Sequence, residues 1–391
     1  MRWPIVLFIY GVTAFVEALG VSQVFAFMPL ELRHVGLPEA DIPRWVGLFG
    51  AVIFLVGLPL VPLWGVWADR YSRKAVIIRS ALVEAVVFGG VAVSTTPWQL
   101  AISLLLVGFQ LGNTGVMLAT LRDVVPRERL GTIIAVFGIT GPIGFAAGPA
   151  LGGYLVDGLG APLATMYMVS AALSLGTALL IAVGIREVRP AVVPQGRMLD
   201  LAYGAIRGIF TDPTTVRLFA IFGASFLARQ MTAPYLPLLV ERTNGGFVGL
   251  AGAIGLVVGT AGLVGAAASP VVGAVGDRVG FRRVLGFALA GGGAALALMT
   301  FAPSIATLAL AAATSAAFAA ATSAMIFSLL ATQVPAERRS ATLNLVYLPL
   351  YLGGIAGPAL GSAVVSASLS AVFITGGVML VAVAGVVLRR R

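Results

Sequence analysis

The 391-residue chain contains no cysteine, one histidine (His34) and one lysine (Lys74). Without cysteine there is no disulfide, thiolate metal site or cysteine nucleophile, and a single histidine argues against histidine-based catalysis or a multi-histidine metal centre. No G-x-x-x-x-G-K pattern precedes Lys74, so we expect no ATP hydrolysis. We therefore expect neither an enzyme nor a bound metal or cofactor.

Charged residues are scarce as well. They make up 10% of the chain, against roughly a quarter in an ordinary soluble domain, whereas 59% of the residues are hydrophobic. So much apolar surface can be buried only in a bilayer, and the 49 glycines suit helices that pack closely there. The net charge of +10 is spread between apolar runs, which argues against a nucleic-acid partner and predicts a membrane protein in contact with lipid.

Apolar runs of about 20 residues predict twelve transmembrane helices, because that length crosses a bilayer. The first run lacks a small-residue cleavage pattern, so we expect it to be retained as a helix. A polar linker, residues 186–215, separates residues 1–185 from residues 216–391, and its apolar face, which includes Leu199 and Ala202, predicts a short interfacial helix. The predicted spans, numbered one to twelve, are residues 4–28, 44–67, 75–95, 98–120, 131–155, 163–185, 216–239, 247–272, 284–302, 304–331, 341–364 and 368–388.

Arginine collects in alternate connections between the spans. The connections after spans two, four, eight and ten, the linker and the C-terminal tail are rich in arginine, whereas residues 94–97 carry no charge. The positive-inside rule places the arginine-rich side in the cytoplasm. We therefore expect a multi-pass protein of the inner (plasma) membrane with both termini in the cytoplasm, which an even number of spans also requires.

Three motifs of the first half recur in the second half at nearly the same distance along the chain. Their offsets are 208, 209 and 209 residues. One offset shared by three different motifs predicts a six-plus-six parallel repeat. The pairs are Asp69-Arg70 with Asp277-Arg278, Val125-Pro126 with Val334-Pro335, and Gly148-Pro149 with Gly357-Pro358.

Two of these motifs resemble those of a known family, and the resemblance covers essentially the whole chain. The loop between spans two and three, Gly65-x-x-x-Asp69-Arg70-x-x-Arg73-Lys74, resembles the signature loop of the major facilitator superfamily. The motif in span five, Gly144-x-x-x-Gly148-Pro149-x-x-Gly152-Gly153, is similar to that of the drug/proton antiporter branch of this superfamily.

The resemblance implies an all-α membrane protein of two six-helix bundles related by a pseudo-two-fold axis. It implies a secondary transporter that exports drugs or metabolites by rocker-switch alternating access, with a proton gradient as its energy source, and we expect a functional monomer. The branch also has an arginine about four residues before a glycine in span four, tied to proton coupling. The segment from Ser103 to Gly108 contains no arginine.

The signature loop is predicted to act as a latch. In the family, the acid equivalent to Asp69 lies beside a helix of the other half, and a carboxylate at a helix N-terminus gains about 0.3–1 kcal/mol. Such a contact would favour the conformation closed to the cytoplasm. The alternative is that the basic residues only fix topology and touch lipid phosphates. The latch residues are Gly65, Asp69, Arg70, Arg73 and Lys74, and their repeat, expected to be structural, is Asp277, Arg278, Arg282 and Arg283.

The glycines of the span-five motif recur every four residues and therefore share one helix face. Span eight offers a matching face, and two such faces let backbones approach closely. Together with bends at Pro142 and Pro149, they predict a smooth interface between the halves. The alternative is ordinary glycine packing. The span-eight glycines are Gly252, Gly255, Gly259 and Gly262.

Glu17, Glu84 and Arg229 lie inside predicted spans, where a charge costs several kcal/mol and usually faces a cavity. Glu17 and Arg229 are each 13 residues into their spans, and the family places both helices around a central cavity. Our hypothesis is that Glu17 binds the proton or a cation and that Arg229 is its state-dependent partner. A permanent ion pair or two unrelated groups are the alternatives. Glu84 is a further candidate for coupling or substrate binding, but its span is expected at the periphery, where an acid pairs with Arg79 or a neighbouring helix.

Few other polar residues fall where they could line the cavity, and each could instead bond a backbone carbonyl. Such a cavity suits an amphipathic or hydrophobic solute better than a sugar. An exporter of lipids, glycolipids or sugars, and a receptor or scaffold without transport, remain alternatives. The cavity candidates are Gln110, Asn113, Gln230, Tyr235, Asn344, Tyr347 and Tyr351.

Overall fold

The computed structural model describes residues 2–190, 195–209, 213–333 and 347–389, and all regular elements in these ranges are helices. Ten helices are long and apolar enough to cross a membrane, and each lies at a predicted span. They are Trp3–His34 (span one), Ile42–Arg70 (two), Arg73–Val93 (three), Pro97–Val124 (four), Arg127–Gly158 (five), Leu163–Gly184 (six), Leu250–Ala268 (eight), Phe281–Phe301 (nine), Ile305–Leu330 (ten) and Leu369–Arg389 (twelve). The helices of spans eight and ten continue to Val279 and Gln333.

Helices also occupy the positions of the two remaining spans. Span seven runs over Pro213–Thr232, tightens at Ala233–Tyr235 and continues over Leu236–Asn244. The irregularity coincides with two prolines, which cannot donate a helical hydrogen bond. Span eleven is described over Tyr347–Val364. The first six residues predicted for span eleven lie outside the described ranges.

The linker contains the predicted helix, Met198–Ile209, which packs against span two. Ala202 is buried, and the Tyr203 hydroxyl donates a 2.5 Å hydrogen bond to the Pro59 carbonyl. Leu199, predicted to share the apolar face, is mainly exposed. The helix is therefore tied to the N-terminal half.

The two halves repeat in space as they do in sequence. Gly148 of span five stands against the Leu19 carbonyl of span one, and Gly357 of span eleven stands against the Leu227 carbonyl of span seven. In both halves, the absence of a side chain lets the fifth helix touch the backbone of the first. The offsets, 209 residues for the glycines and 208 for the leucines, match those of the sequence motifs.

The halves meet mainly through two helix pairs, span five with span eight and span two with span eleven. The sequence predicted that the repeated glycines of span five face the glycines of span eight, and this prediction is wrong. Gly144 and Gly148 face span one, and Gly152 faces Phe27 and Met166. The pattern shows which residues share a face but not which helix lies opposite.

The opposite side of span five meets span eight. The span-eight glycines do lie at the predicted interface between the halves, but they pack on residues other than the repeated glycines. Gly255 stands against the Pro149 carbonyl, Gly262 stands against Ala146, and Gly153 touches the Ala251 carbonyl. Of the span-five motif, Pro149 and Gly153 thus contribute to this interface.

Contacts between the halves close one end of the molecule, which we name the Arg33 end. The Arg33 guanidinium lies 2.8 Å from the Glu241 carboxylate, joining spans one and seven. The amide of Gly252 donates a 2.5 Å hydrogen bond to Asp157, joining spans eight and five. The Ser362 hydroxyl donates to the main-chain carbonyl of Arg44 at the start of span two, joining spans eleven and two. The opposite end, where Asp69 lies, is named the Asp69 end.

Candidate functional site

The candidate site centres on Glu17, midway along span one. Its side chain is partly exposed, and both carboxylate oxygens accept hydrogen bonds from span four. The Asn113 amide donates over 2.9 Å and the Gln110 amide over 3.2 Å. Both amides are buried, so Glu17 joins span one to the middle of span four. Two residues that were predicted to line the cavity therefore donate hydrogen bonds to the acid that was predicted to bind the proton.

Span four is broken beside this carboxylate. Its first segment ends at Gln110 and its second begins at Asn113. Gly112 has a φ of +99°, a conformation that glycine adopts without a steric penalty. The break leaves main-chain carbonyls without helical partners, and such groups need other donors when buried.

Arg79 and Ser80 of span three supply those donors. The Arg79 guanidinium donates to the carbonyls of Gln110 and Leu111 over 3.2 and 3.1 Å, and the Ser80 hydroxyl donates to Gln110 over 2.6 Å. Arg79 also lies 3.8 Å above the ring of Trp64, a cation–π arrangement. Arg79 and Glu17 both bind Gln110, Arg79 at its carbonyl and Glu17 at its side-chain amide. A cation therefore lies near the proton candidate although span four itself has no arginine at the family position.

Glu84 lies on the same span as Arg79 but does not pair with it. One carboxylate oxygen accepts a 3.2 Å hydrogen bond from Ser174 of span six, and the other is buried with no hydrogen-bond partner. The prediction that Glu84 pairs with a neighbouring helix is therefore confirmed, and the prediction that it pairs with Arg79 is wrong.

Arg229 is partly exposed and makes no hydrogen bond or ion pair with Glu17. The repeat explains why. Leu227 corresponds to Leu19, so Arg229 corresponds to Val21, one turn beyond Glu17. At about 1.5 Å per residue, the two charges differ in depth by roughly 6 Å. Counting 13 residues from the predicted span starts placed them at one depth, because those starts, residues 4 and 216, are 212 residues apart, whereas the structural repeat is 208 residues. A permanent ion pair is excluded in this conformation, and the state-dependent pairing stays a prediction.

The remaining cavity candidates divide into three groups. Tyr235 is fully buried against Gly47 and Gly361, so its placement in a cavity is wrong. Tyr351 and Gln230 are partly exposed. Asn344 lies outside the described residues, and Tyr347 is described only as part of a helix.

An aromatic group spans the two halves close to these residues. Tyr351 of span eleven meets Phe54 of span two edge-on, with ring centroids 6.3 Å apart. Phe54 in turn lies 6.4 Å from Phe25 of span one. All three side chains are partly exposed, so they present an apolar, aromatic surface between the halves. Sequence reasoning did not single out either phenylalanine, since the chain has 21 of them.

The latch residues form a charge network inside the N-terminal half. Arg73 is almost fully buried and binds both Asp69, at 2.7 Å, and Asp123 of span four, at 2.6 Å. The Glu187 carboxylate accepts from the Arg73 amide over 2.9 Å and from the Ser72 hydroxyl. Asp69 is therefore neutralised by its own half.

The other latch residues also bind within the N-terminal half and the linker. Arg70 donates to the Gly196 carbonyl and Lys74 to the Ala182 carbonyl, over 2.8 and 2.6 Å. At Gly65 an added Cβ would meet nothing within 4 Å. Over the described ranges, no latch residue pairs with the C-terminal half in this conformation. Contact of the latch with the other half stays a prediction.

The repeat of the latch carries no comparable network among the described residues. Asp277, Arg278 and Arg283 are exposed, and Arg282 donates to the Val387 carbonyl over 2.8 Å. One main-chain contact thus ties the start of span nine to the end of span twelve, and the structural role expected for Asp277 stays a prediction.

The sequence profile of the Major Facilitator Superfamily matches residues 10–251 and 218–391. The chain belongs to the major facilitator superfamily. It is thus a multi-pass membrane transporter with the all-helical fold of this family, as the motifs indicated. The family is one of transporters rather than enzymes.

Curated relatives of this superfamily member include multidrug transporters. The chain is 27% identical to the multidrug resistance protein MdtG of Yersinia enterocolitica over 73% of this chain and 68% of that protein. It is 26% identical to a multi-drug resistance efflux pump PmrA homolog of Lactococcus lactis over 93% and 89%.

Solved structures with the same fold are more distant in sequence. The nucleoside transporter NupG superposes with a TM-score of 0.78 at 14% identity, covering 99% of this chain and 100% of that one. The human organic anion transporter MFSD10 superposes with a TM-score of 0.72 at 18% identity, covering 99% of this chain and 100% of that one. These likenesses establish the fold alone.

Proposed function

We propose that this transporter exports small amphipathic or hydrophobic compounds by proton antiport, and that Glu17 carries the proton. The observation that supports this most directly is the partly exposed carboxylate of Glu17 at mid-span, bound by two amides of a broken helix. A charge at this depth is costly and is usually retained for ion or proton movement. The proton gradient supplies the energy, without ATP or a cofactor, and the monomer is the working unit.

The substrate class follows from the surface between the halves. The aromatic group of Phe25, Phe54 and Tyr351 offers apolar contact, and the buried amides of Gln110 and Asn113 are already engaged by Glu17. A sugar would need many free hydrogen-bonding groups in place of its water, whereas an amphipathic compound would not. The multidrug names of MdtG and the PmrA homolog agree with this class.

The proposed direction of transport is supported by the arginine-rich connections, which favour a cytoplasmic position for the Asp69 end and both termini in the inner membrane. The Arg33 end, which faces outward in this orientation, is closed here by contacts between the halves. This conformation would load substrate from the cytoplasm. In the opposite conformation the halves part at the Arg33 end, and the latch, with open space at Gly65, approaches the C-terminal half.

The test is dye efflux from proteoliposomes with an imposed pH gradient. Wild-type protein should move an amphipathic dye in a gradient-dependent manner, and an uncoupler should stop it. Glu17→Gln should abolish uphill efflux while leaving dye binding, and the exposed Glu128→Gln is the matched control. Gradient-dependent efflux that survives in Glu17→Gln would remove this residue from the mechanism.

The same vesicles separate the other functions. Flipping of labelled lipid without dye efflux would identify a lipid flippase, and uptake of labelled sugar without dye efflux would identify a sugar exporter. Binding without flux under any gradient would identify a receptor. Each of these results would replace the proposal.

A further inference from the structure

We propose that the break in span four senses the protonation of Glu17 and converts it into movement of the segment Asn113–Val124. This inference rests on the proposed function, in which Glu17 carries the proton. It links the proton site to the charge network at the Asp69 end, two features that the sequence motifs leave unconnected.

The ionised carboxylate of Glu17 bridges the break. Gln110 is the last residue of the first segment and Asn113 the first residue of the second, and each donates to a different carboxylate oxygen. An ionised carboxylate only accepts hydrogen bonds, and its charge strengthens them. The unprotonated side chain therefore fastens both segments to one point on span one.

Protonation changes this pattern. The proton converts one carboxylate oxygen into a hydroxyl, which must donate, so an amide N–H aimed at that oxygen loses its acceptor. The amide oxygen of Gln110 is buried and has no hydrogen-bond partner. A half-turn of this amide lets its oxygen accept the new hydroxyl, while the Asn113 amide keeps only a weaker bond to a neutral group. No other bond forms or breaks in this step.

The break does not depend on Glu17 for its main-chain hydrogen bonds. Arg79 and Ser80 hold the freed carbonyls from span three, and Arg79 is itself stacked on Trp64. The first segment thus has a fixed end, and the backbone can rotate at Gly112. The second segment is the part that is free to swing once its bond to Glu17 weakens.

The far end of the second segment carries Asp123, which binds Arg73 beside Asp69. A helix of 12 residues is a lever of roughly 18 Å, so a small rotation at Asn113 displaces Asp123 by more. Proton binding at mid-membrane is thereby transmitted to the loop that closes the Asp69 end.

Over the described residues, the charged groups that we assign to the surroundings of Glu17 are Arg79, which shares Gln110 with it, and Glu84, both on span three. Span four presents amides, and the contact from span five is made by Gly144 next to the Phe15 carbonyl. Glu84 bonds to span six and not to span four. Glu84→Gln is therefore the variant that distinguishes the protonation of Glu84 from that of Glu17.

The experiment measures the position of the second segment by pulsed electron spin resonance in lipid nanodiscs. Because the chain has no cysteine, spin labels can be attached at Arg122→Cys on the segment and Val183→Cys at the exposed end of span six. The distance between the labels should change between pH 8.5 and pH 5.5. Gln110→Met, which lacks the amide, and Glu17→Gln should lose this change. Ser103→Ala, in the first segment, should keep it.

A full change in Gln110→Met, or its loss in Glu84→Gln, would overturn the inference, and Gln110→Ala replaces Gln110→Met if the latter does not fold. The inference would also be overturned if the distance between the labels stayed constant in wild-type protein whose efflux is driven by protons through Glu17. If instead the distance responds through Glu17 and Gln110 while efflux ignores the gradient, the inference stands and the proposed function fails.

Discussion

A carboxylate in the middle of a membrane helix is stable only when polar groups replace the water it has lost. Glu17 has two amide donors for this purpose, and Glu84 has one hydroxyl. The sequence predicted that these acids lie inside spans, but it could not predict their partners, since the partners come from other helices. Arg79 shows the limit most clearly. In sequence it is a basic residue near a span end, and only the folded break reveals what it binds.

Gly148 permits close contact between spans five and one. A Cβ at this position would collide with the Leu19 carbonyl and the Ser22 hydroxyl. Because a helix backbone cannot yield easily, Gly148→Ala should destabilise the protein by about 1–3 kcal/mol, the usual cost of overpacking. Gly138→Ala is the control, since a Cβ there meets nothing within 4 Å. Thermal unfolding of the purified protein measures both, and equal stability of the two variants would contradict the packing described.

Glu39 gives the Arg33 end a small dependence on pH. Its hydrogen bond from Arg33 lowers the pKa of Glu39, which lies in the loop outside the membrane. A lowered pKa means that the stabilisation is complete above the ordinary value of about 4.3 and is lost as the pH falls through the lowered value. Glu39→Gln should therefore lower the unfolding temperature slightly at pH 7, and the difference should shrink as the pH falls below the ordinary pKa of a glutamate. A difference that grows on acidification would contradict the assignment.

At the scale of helices, the two halves differ in the contacts made at the loop motif that they share, around Asp69 in one half and Asp277 in the other. The N-terminal half fastens spans two, three and four together through Arg73, whereas span nine begins with Phe281 at the corresponding position and binds span twelve through a main-chain carbonyl. The repeated motif predicted the position of this turn in both halves. It could not predict the network, because Asp123 and Glu187 lie outside the motif.

Arg73→Gln should be the most destabilising change at the Asp69 end. It would leave Asp69 and Asp123 without their cation, and breaking a buried ion pair costs 3–5 kcal/mol, although partial exposure of both carboxylates reduces this to about 3 kcal/mol. Arg283→Gln, an exposed arginine of the repeat, should have no effect. Unfolding of both variants in detergent provides the measurement. A stable Arg73→Gln protein would show that the network is not needed for folding.

For the whole molecule, the offset between motifs was enough to predict two equivalent halves, and the glycine contacts of spans five and eleven confirm the repeat. The conformation could not be predicted, because the same residues must serve both the closed and the open arrangement of each end. The choice between them rests on contacts such as Arg33 with Glu241, which join residues 208 positions apart. Such an ion pair between half-buried groups is worth about 1 kcal/mol, enough to bias two conformations without locking either.

Locking the Arg33 end should therefore stop transport. Cysteines placed at Arg33 and Glu241 lie on spans one and seven, and the chain contains no other thiol to react. A reducible bifunctional thiosulfonate of about 10 Å should link them in the conformation described here, because the native side chains already touch across the halves. Dye efflux should fall to the background level after linking and return after reduction, while each single-cysteine variant keeps its activity through the same treatment. Efflux that continues in the linked protein would mean that transport does not require the two halves to part at this end.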